Sequence, residues 1–215
     1  MVSPNSTTPI GEVIYLASSN AGKLKEILLG VTRWERSRQV RCPRRFELLP
    51  DFKQLPAAIE SADSFVGNAR LKALTYAQYT TAPVLADDSG LEVDSLGGAP
   101  GVCSARYAGP QSSDAENNQK LLQALAGLAG ECRTAHFVCV LAIAQQGRIV
   151  GEFAGRAEGL ILESPRGLAG FGYDPLFLDP VMNRTFAELT PEEKLERSHR
   201  GQALFTLLDW LLRQP

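Results

Sequence analysis

The sequence predicts an α/β protein in which helices flank a mixed central sheet. In the first half of the chain, apolar runs typical of buried strands alternate with segments of helical periodicity. In the second half, two long strand-like runs flank Gln145-Gln146-Gly147, a pattern typical of an antiparallel hairpin. Of the 215 residues, 44% are hydrophobic and 21% are charged, so a core can form without disulfides or structural metal.

Strands and helices alternate before the middle of the chain. Residues 13–18 are an apolar run that predicts a buried strand. From Gly22 onward, apolar residues recur at three- and four-residue spacing, which predicts a helix. Residues 46–49 have strand-like composition, residues 64–79 have helical spacing, and residues 84–86 predict another buried strand. This alternation, followed by a hairpin, predicts the mixed sheet.

Capping residues mark the later helices. Ser113 and Glu116 form a capping box that opens a helix ending near Leu128. Thr190 and Glu193 form a second capping box, with proline at the first helical position. The last helix has leucines along one face, which predicts that it packs on the core. The predicted hairpin strands are residues 135–144 and 148–157.

Two segments fall outside this pattern. Residues 1–12 are polar and lack the basic-then-apolar order of a signal peptide, so we expect a disordered leader before one domain over residues 13–215. Residues 33–45 hold six arginines against one acid, Glu35, without helical or strand periodicity. We therefore expect them to form an exposed loop inserted in the surface of that domain.

Charge and cysteine usage exclude several classes of function. The net charge of −2 gives no global basic field that would attract nucleic acid or a membrane surface. No apolar run is long enough to predict a membrane span. None of the four cysteines forms a Cys-x-x-Cys pair and the two histidines are far apart, so zinc-ligand spacing is absent. Reduced thiols of this kind are typical of a cytoplasmic protein.

The segment Ser18-Ser19-Asn20-Ala21-Gly22-Lys23 lies where the first predicted strand leads into the first predicted helix. Free backbone N–H groups and the positive end of a helix dipole suit a phosphate there, and Lys23 adds a charge. The segment is not a Walker A loop, which needs glycine in place of Ala17 and serine or threonine in place of Leu24. By itself, the segment fits a phosphate site and an ordinary capped helix with a solvated lysine equally well.

A second segment, Asp87-Asp88-Ser89-Gly90, directly follows the apolar run of residues 84–86. Adjacent carboxylates repel each other unless a cation or hydrogen bonds compensate. One of them can bind a hard divalent cation while it polarises a water molecule. The same residue types form ordinary turns, but sites in α/β proteins gather where strands end, which favours a functional role.

Two further segments contain aromatic and basic groups. In Gly170-Phe171-Gly172-Tyr173-Asp174-Pro175, an aromatic ring could stack on a base and Asp174 could accept from a base N–H. The alternative is a tight turn with both rings in the core. Lys194 and the segment Ser198-His199-Arg200 suit hydrogen bonds to anionic or carbonyl oxygens, although a surface capping turn would explain Ser198-His199 alone.

The order and the residues of these four segments resemble those of the inosine/xanthosine triphosphate pyrophosphatase family. The resemblance begins at residues 16–23 and continues through residues 64–73. Its longest block is residues 86–109, ADDSGLEVDSLGGAPGVCSARYAG, and it ends with residues 171–175 and 193–204. It covers nearly the whole chain from the first strand to the last helix, and the central block is far more specific than any short motif.

The resemblance implies two lobes around a deep cleft, usually in a homodimer. It also implies Mg²⁺-dependent hydrolysis of ITP, dITP and XTP to the monophosphate and pyrophosphate, which keeps these nucleotides out of DNA and RNA. Asp88 is then the general base and a metal ligand, Glu60 the second metal-binding acid, and Asp87 a further candidate ligand. The implied substrate contacts are Ser18, Ser19, Asn20, Ala21, Gly22, Lys23, Lys72, Ser89, Phe171, Gly172, Tyr173, Asp174, Lys194, His199 and Arg200.

The chain departs from this family at two places. Gly67 stands where the family often has glutamate, so no role transfers to it, and residues 33–45 match no family segment that we can place. Three other functions fit part of the pattern: a pyrophosphatase for other modified nucleotides, a regulator that binds triphosphates without turnover, and an RNA-binding protein. The acids Glu60, Asp87 and Asp88 argue against a mere binder. Net acidity and the lack of aromatic interleaving in residues 33–45 argue against RNA.

Overall fold

The structure, a computed structural model, describes residues 10–214, and within them seven strands form one sheet flanked by five α-helices. The strands are β1 (Val13–Leu16), β2 (Arg45–Leu48), β3 (Val84–Val93), β4 (Thr134–Gln145), β5 (Arg148–Ile161), β6 (Phe177–Asp179) and β7 (Arg184–Thr185). The helices are α1 (Ala21–Arg38), α2 (Phe65–Tyr76), α3 (Asp114–Ala124), α4 (Pro191–Arg197) and α5 (His199–Leu211). The strand order is β2-β1-β3-β4-β5-β6-β7. Since β1 pairs in parallel with β2 and β3 while the other neighbours are antiparallel, the predicted mixed α/β sheet is confirmed.

Local sequence signals set most of the element boundaries. Both predicted capping boxes are present, one at Ser113 before α3 and one at Thr190 before α4. The hairpin between β4 and β5 turns through Gln146 and Gly147, whose φ angles are 51° and 74°. Two successive positive φ angles define the turn that matches the twist of antiparallel strands, and glycine adopts this conformation without steric cost.

Strand β3 is longer than the sequence predicts. We expect a strand that ends before the acid pair, and this is wrong, because β3 runs from Val84 to Val93 and pairs with β4 along its length. Asp87 and Asp88 therefore lie in the middle of a strand, and their side chains point to opposite faces of the sheet. Two acids and a glycine have the composition of a turn, so the sequence alone conceals the continuation.

Side chains on one face of β3 connect two separate hydrophobic clusters. Leu85 belongs to the first cluster, which α1 and α5 cover, and Leu91 and Val93 belong to the second, near α3 and β6. Between them, in the same row of alternating residues, lie Asp87 and Ser89. The two clusters thus form the cores of two lobes with a polar gap between them, while a third cluster lies under α2.

Helix α1 extends to Arg38, so the predicted loop over residues 33–45 is wrong for its first part. The Trp34 indole is buried in the first cluster and donates a hydrogen bond to Asp209 Oδ1 at 2.8 Å. Arg38 Nη2 donates to Asp209 Oδ2 at 2.8 Å. These contacts with α5 hold the end of α1 in place, and because they are distant in sequence, local periodicity does not reveal them. Residues 39–44 lie between α1 and β2 without helix or strand.

The arginines of this region are largely neutralised by acids of the same chain. Arg33 pairs with Glu196 across the α1–α4 contact, and Arg38 pairs with Asp209. Further ion pairs join Arg41 to Glu35 and Arg45 to Glu47. This pairing weakens any local basic patch.

The start of the described chain packs earlier than expected. Most of the predicted leader, residues 1–9, lies outside the described residues. Ile10, however, is buried in the first cluster, so core packing begins before the predicted start of the domain. Across residues 10–214, none of the helices combines the length and hydrophobicity that crossing a bilayer requires.

Candidate active site

The polar gap between the two lobes opens into a cavity of about 110 Å³. A larger concavity of about 420 Å³ at the end of α1 contains none of the predicted site residues, so the chemistry of the lining identifies the candidate site better than size. The predicted residues that line the smaller cavity are Asn20, Lys23, Ser89, Phe171, Gly172, Tyr173, Asp174, Lys194, His199 and Arg200.

Asp87 is the centre of a buried ion-pair network beside this cavity. Lys23 Nζ binds its Oδ1, while Arg200 Nε and Cys139 Sγ each donate to its Oδ2 at 3.1 Å. Burial alone would raise the pKa of Asp87, but the charges of Arg200 and Lys23 outweigh it and hold that pKa well below its ordinary value. Asp87 is thus a permanent anion that organises cations.

Arg200 is buried, and its Nε, Nη1 and Nη2 atoms each donate a hydrogen bond to a side chain of the protein. Besides Asp87, it donates to Glu26 through Nη1 and to Ser89 Oγ through Nη2 at 2.7 Å. Burial opposes its charge, but Asp87 and Glu26 raise its pKa further, so it stays protonated. A guanidinium has five N–H donors, which leaves donors for a ligand in the cavity.

Glu26 is a site residue that the sequence analysis misses. Its carboxylate bridges Arg200 and Lys194, whose Nζ lies 2.6 Å from Glu26 Oε1. Burial raises its pKa, but those two cations lower it by more, and the net shift is downward. Glu26 lies in α1 one turn after Lys23 and therefore on the same helix face. This spacing from residues 18–23 is the sequence signal that points to Glu26.

Lys194 and Asp174 continue the network toward the aromatic segment. Lys194 Nζ donates to Asp174 Oδ2 at 2.5 Å and lies 4.5 Å from the centre of the Phe171 ring. Burial raises the pKa of Asp174 more strongly than Lys194 lowers it. Positive and negative groups therefore alternate through the lobe contact, in the order Lys23, Asp87, Arg200, Glu26, Lys194 and Asp174.

Asp88 points to the other face of the sheet, toward α2. Lys72 Nζ lies 2.6 Å from Asp88 Oδ1 and 3.2 Å from Glu60 Oε2, so one lysine brings the two predicted metal-binding acids together. Burial raises the pKa of Asp88, and Lys72 offsets this only in part. An acid with a raised pKa and a lysine beside it is a chemically suitable proton acceptor.

The acids beside Lys72 also fit a divalent cation. The described residues contain no cluster of three Asp, Glu, His or Cys side chains that could hold a metal ion. Asp88 Oδ2, however, is buried without a hydrogen-bond partner, and such an oxygen is normally satisfied by a donor, water or cation. Mg²⁺ typically takes one or two carboxylates and completes its shell with water and substrate phosphates. Glu60 and Asp88 meet this requirement, whereas both oxygens of Asp87 are engaged on the opposite face.

The segment before α1 is arranged as a helix N-terminus that opens onto the cavity. Asn20 is the N-cap, and its Oδ1 accepts from the Lys23 N–H at 3.0 Å. Ser18 Oγ accepts from the Asn20 N–H at 3.2 Å. Ser19, Asn20 and Ala21 are exposed, so this end of the helix is accessible to an anion.

Gly22 and Phe171 bring the first and third motifs into direct contact. A Cβ atom at Gly22 would lie 2.5 Å from Phe171 Cδ1, a separation that real structures do not show. Glycine therefore lets the ring pack on the first turn of α1. The Phe171 ring remains partly exposed in the cavity wall, so one face can meet a base.

Tyr173 and Gly172 have structural partners. Tyr173 is buried in the second cluster, and its hydroxyl donates to the Ser104 carbonyl at 2.8 Å. Gly172 N–H donates to Asp114 Oδ2 at 2.6 Å. Tyr173 therefore lies in the core, as expected for a tight turn with buried rings, although it also lines the cavity.

His199 is buried and stacks on Phe137, with ring centres 4.7 Å apart and planes at 11°. Burial, reinforced by Arg200 and Lys194, lowers the pKa of His199 well below its ordinary value, so the imidazole is neutral. Its Nδ1 has no hydrogen-bond partner among the described residues. The cavity is also lined by residues that the sequence does not predict as site residues, namely Gly90, Ser104, Ala105, Asp114, Asn117 and Phe137.

Together, the fold and the site define an α/β protein whose interlobe cavity is lined by buried cations and a helix N-terminus, with a lysine-linked acid pair on the other face of β3. The chain belongs to the Ham1 family, whose model matches residues 14–210.

Comparisons with individual proteins agree with this assignment. The dITP/XTP pyrophosphatase of Syntrophobacter fumaroxidans is 46% identical over 195 residues, which cover 91% of this chain and 80% of that protein. The dITP/XTP pyrophosphatase of Geobacillus kaustophilus is 46% identical over 194 residues, 90% of this chain and 91% of that protein. The structure of a HAM1 protein from Coxiella burnetii superposes with a TM-score of 0.79 at 40% identity and covers 94% of this chain and 99% of its own.

Proposed function

We propose that the protein hydrolyses non-standard purine nucleoside triphosphates (ITP, dITP and XTP) to the monophosphate and pyrophosphate, with Mg²⁺ as cofactor. The observation that best supports this is the group of Asp88, Lys72 and Glu60 on one face of β3. The cavity that Lys23, Lys194 and Arg200 line lies on the other face. The names of the two pyrophosphatase relatives support the same reaction and substrate class. Hydrolysis of this kind keeps such nucleotides out of DNA and RNA.

In the proposed mechanism, Asp88 orients the attacking water and takes its proton. Burial raises its pKa, which makes Asp88 a better proton acceptor than an exposed aspartate. Glu60 and Asp88 would hold Mg²⁺, which supplies positive charge to the substrate phosphates when bound. Lys72 keeps the two carboxylates together in the free protein.

The phosphate end of the substrate would lie near the start of α1. A triphosphate has about four negative charges, and bringing it beside carboxylates is unfavourable unless cations offset that charge. Lys23 and the N–H groups after Asn20 supply positive potential at this end. Ser18, Ser19, Ala21 and Gly22, which are also predicted substrate contacts, lie in the same segment.

The base would lie against the exposed part of the Phe171 ring, with its edge toward the buried pair His199–Arg200. A carbonyl at C6, as in hypoxanthine and xanthine, can accept from Arg200, whereas the amino group of adenine cannot. Arg200 has only donors, so adenine at this position would leave its N–H groups without an acceptor. Phe171 would stack on any purine and so adds affinity without selectivity.

Hydrolysis assays with ITP, dITP, XTP, GTP and ATP, with Mg²⁺ and with a chelator, test this proposal. We expect Mg²⁺-dependent turnover of the first three and slow turnover of ATP. Tight ITP binding without turnover would favour the regulator, and faster turnover of another modified nucleotide would change the substrate class. A homodimer and a cytoplasmic location also stay predictions, and sedimentation tests the first of them.

A further inference from the structure

Helix α2 presents one row of polar side chains to an irregular segment of the chain. Asn68, Lys72 and Tyr76 follow at four-residue spacing, so they lie on one helix face at intervals of about 6 Å along the axis. The segment beside them, residues 58–62, contains neither helix nor strand. It runs along the row in the direction opposite to the helix.

Three contacts join the segment to this row in register. The Ala58 N–H donates to Tyr76 Oη at 3.1 Å, and the Ala62 N–H donates to Asn68 Oδ1 at 3.0 Å. Midway between them, Lys72 Nζ lies 3.2 Å from Glu60 Oε2. Two residues of extended chain span about 6.6 Å, which is close to the rise of four helical residues, so alternate residues of the segment stay level with the row.

We propose that Asn68 and Tyr76 are positioning residues for Glu60. They fix the backbone two residues before and two residues after Glu60, and so hold its carboxylate beside Lys72 and Asp88. This inference rests on the proposed function for what Glu60 binds, but the way Glu60 is held follows from the contacts alone.

The chemistry of the two positioning residues supports a specific role for their polar atoms. Asn68 is fully buried, and its Nδ2 has no hydrogen-bond partner among the described residues. A buried amide is costly unless it is hydrogen bonded, so the bond from Ala62 is the clearest reason for asparagine there. Tyr76 packs its ring 4.8 Å from that of Phe52, a contact that phenylalanine would keep. The hydroxyl can therefore be removed without disturbing the core.

Tyr76→Phe tests the proposal because it removes only the acceptor for the Ala58 N–H. We expect faster hydrogen exchange at the Ala58 amide in metal-free protein. We also expect weaker Mn²⁺ binding in calorimetry and a higher Mg²⁺ requirement, each by about three- to tenfold, as loss of one neutral hydrogen bond predicts. At saturating Mg²⁺, kcat should stay within about twofold, because Asp88 is untouched. The exposed Tyr79 provides the control Tyr79→Phe, which should change none of these values.

A double variant separates positioning from general destabilisation. Asn68→Ala also removes core packing, so Tyr76→Phe combined with Glu60→Gln is the better pair. If Tyr76 acts through Glu60, it has no further effect on Mn²⁺ binding once Glu60 is replaced. Wild-type Mn²⁺ affinity in Tyr76→Phe, or additive losses in the double variant, would overturn the positioning role and leave the metal assignment intact. Unchanged Mn²⁺ affinity in Glu60→Gln would instead overturn the metal role in the proposed function, and this inference with it.

Discussion

Replacing Asp87 and Asp88 in turn by asparagine should produce opposite phenotypes, although the two residues are adjacent. Asp88→Asn keeps an acceptor for Lys72, which lies 2.6 Å from Oδ1, but removes the proton acceptor and the charge on the unpartnered Oδ2. Loss of a general base typically costs about 10²–10⁴-fold in turnover. We therefore expect kcat for ITP to fall by that range.

Asp88→Asn should change stability at neutral pH much less than Asp87→Asn, because Lys72 keeps Glu60 as a counter-charge. Burial raises the pKa of Asp88 in the folded protein, so its ionised form opposes folding. Any stability that protonated Asp88 contributes is present below the ordinary aspartate pKa of about 3.9 and is lost as pH rises through the higher folded value. The activity of the wild type should fall as the pH drops through the folded-state pKa of Asp88, because the protonated carboxyl cannot accept a proton.

Asp87→Asn should instead destabilise the fold. It leaves Arg200 and Lys23 without their shared counter-charge, and breaking a buried ion pair on one side costs about 3–5 kcal/mol. For a protein of this size that corresponds to a fall in Tm of roughly 6–20 °C. Because the folded pKa of Asp87 is depressed, the wild-type advantage is complete above about pH 4 and disappears as pH falls further.

Thermal melts of the three proteins between pH 3 and pH 8, with ITP turnover measured on the same samples, give the comparison. The reasoning fails if Asp88→Asn keeps turnover within a few-fold of the wild type, because another group would then accept the proton. It also fails if Asp87→Asn melts at the wild-type temperature, because the ion-pair network would then contribute nothing.

Three further predictions concern selectivity, base stacking and the segment after α1. In Arg200→Lys the charge opposite Asp87 remains but the forked donors are lost, so the ratio of kcat/KM for ITP over ATP should fall at least about tenfold. In Gly22→Ala the new Cβ displaces the Phe171 ring, and KM for ITP should rise roughly fivefold or more, since base stacking contributes ~1–3 kcal/mol. Exchanging residues 39–44 for a glycine–serine segment of equal length should leave kcat/KM within about twofold, because they lie roughly 24 Å along α1 from Lys23.

Each of these has a clear contrary result. An unchanged ITP-to-ATP ratio in Arg200→Lys would remove Arg200 from base selection. An unchanged KM in Gly22→Ala would show that Phe171 does not contact the base. A large loss of kcat/KM in a folded protein with the exchanged segment would place residues 39–44 in the site or in a contact that supports it.

The sequence predicted those features that local chemistry determines. The helix caps and the hairpin turn depend on residues a few positions apart, and the structure confirms them. The candidate site residues were identified by resemblance, and the cavity brings most of them together. Their roles stay predictions, because contacts alone do not show what a residue does to a substrate.

The features that were missed depend on long-range contacts. The sequence predicts a loop at the end of α1 because Asp209, the partner that stabilises the helix there, lies far along the chain. The sequence does not indicate Glu26 as a site residue, because its ion pairs with Arg200 and Lys194 form only in the folded protein. The continuation of β3 through Asp87 was hidden because its charge is compensated only in the folded protein.

The products formed from ITP test the central claim most directly. Phosphorus NMR of a reaction with purified protein, ITP and Mg²⁺ distinguishes pyrophosphate from orthophosphate as the first product. We predict equimolar IMP and pyrophosphate, and no reaction when Mg²⁺ is removed by a chelator. IDP and orthophosphate as the primary products would contradict the proposed reaction.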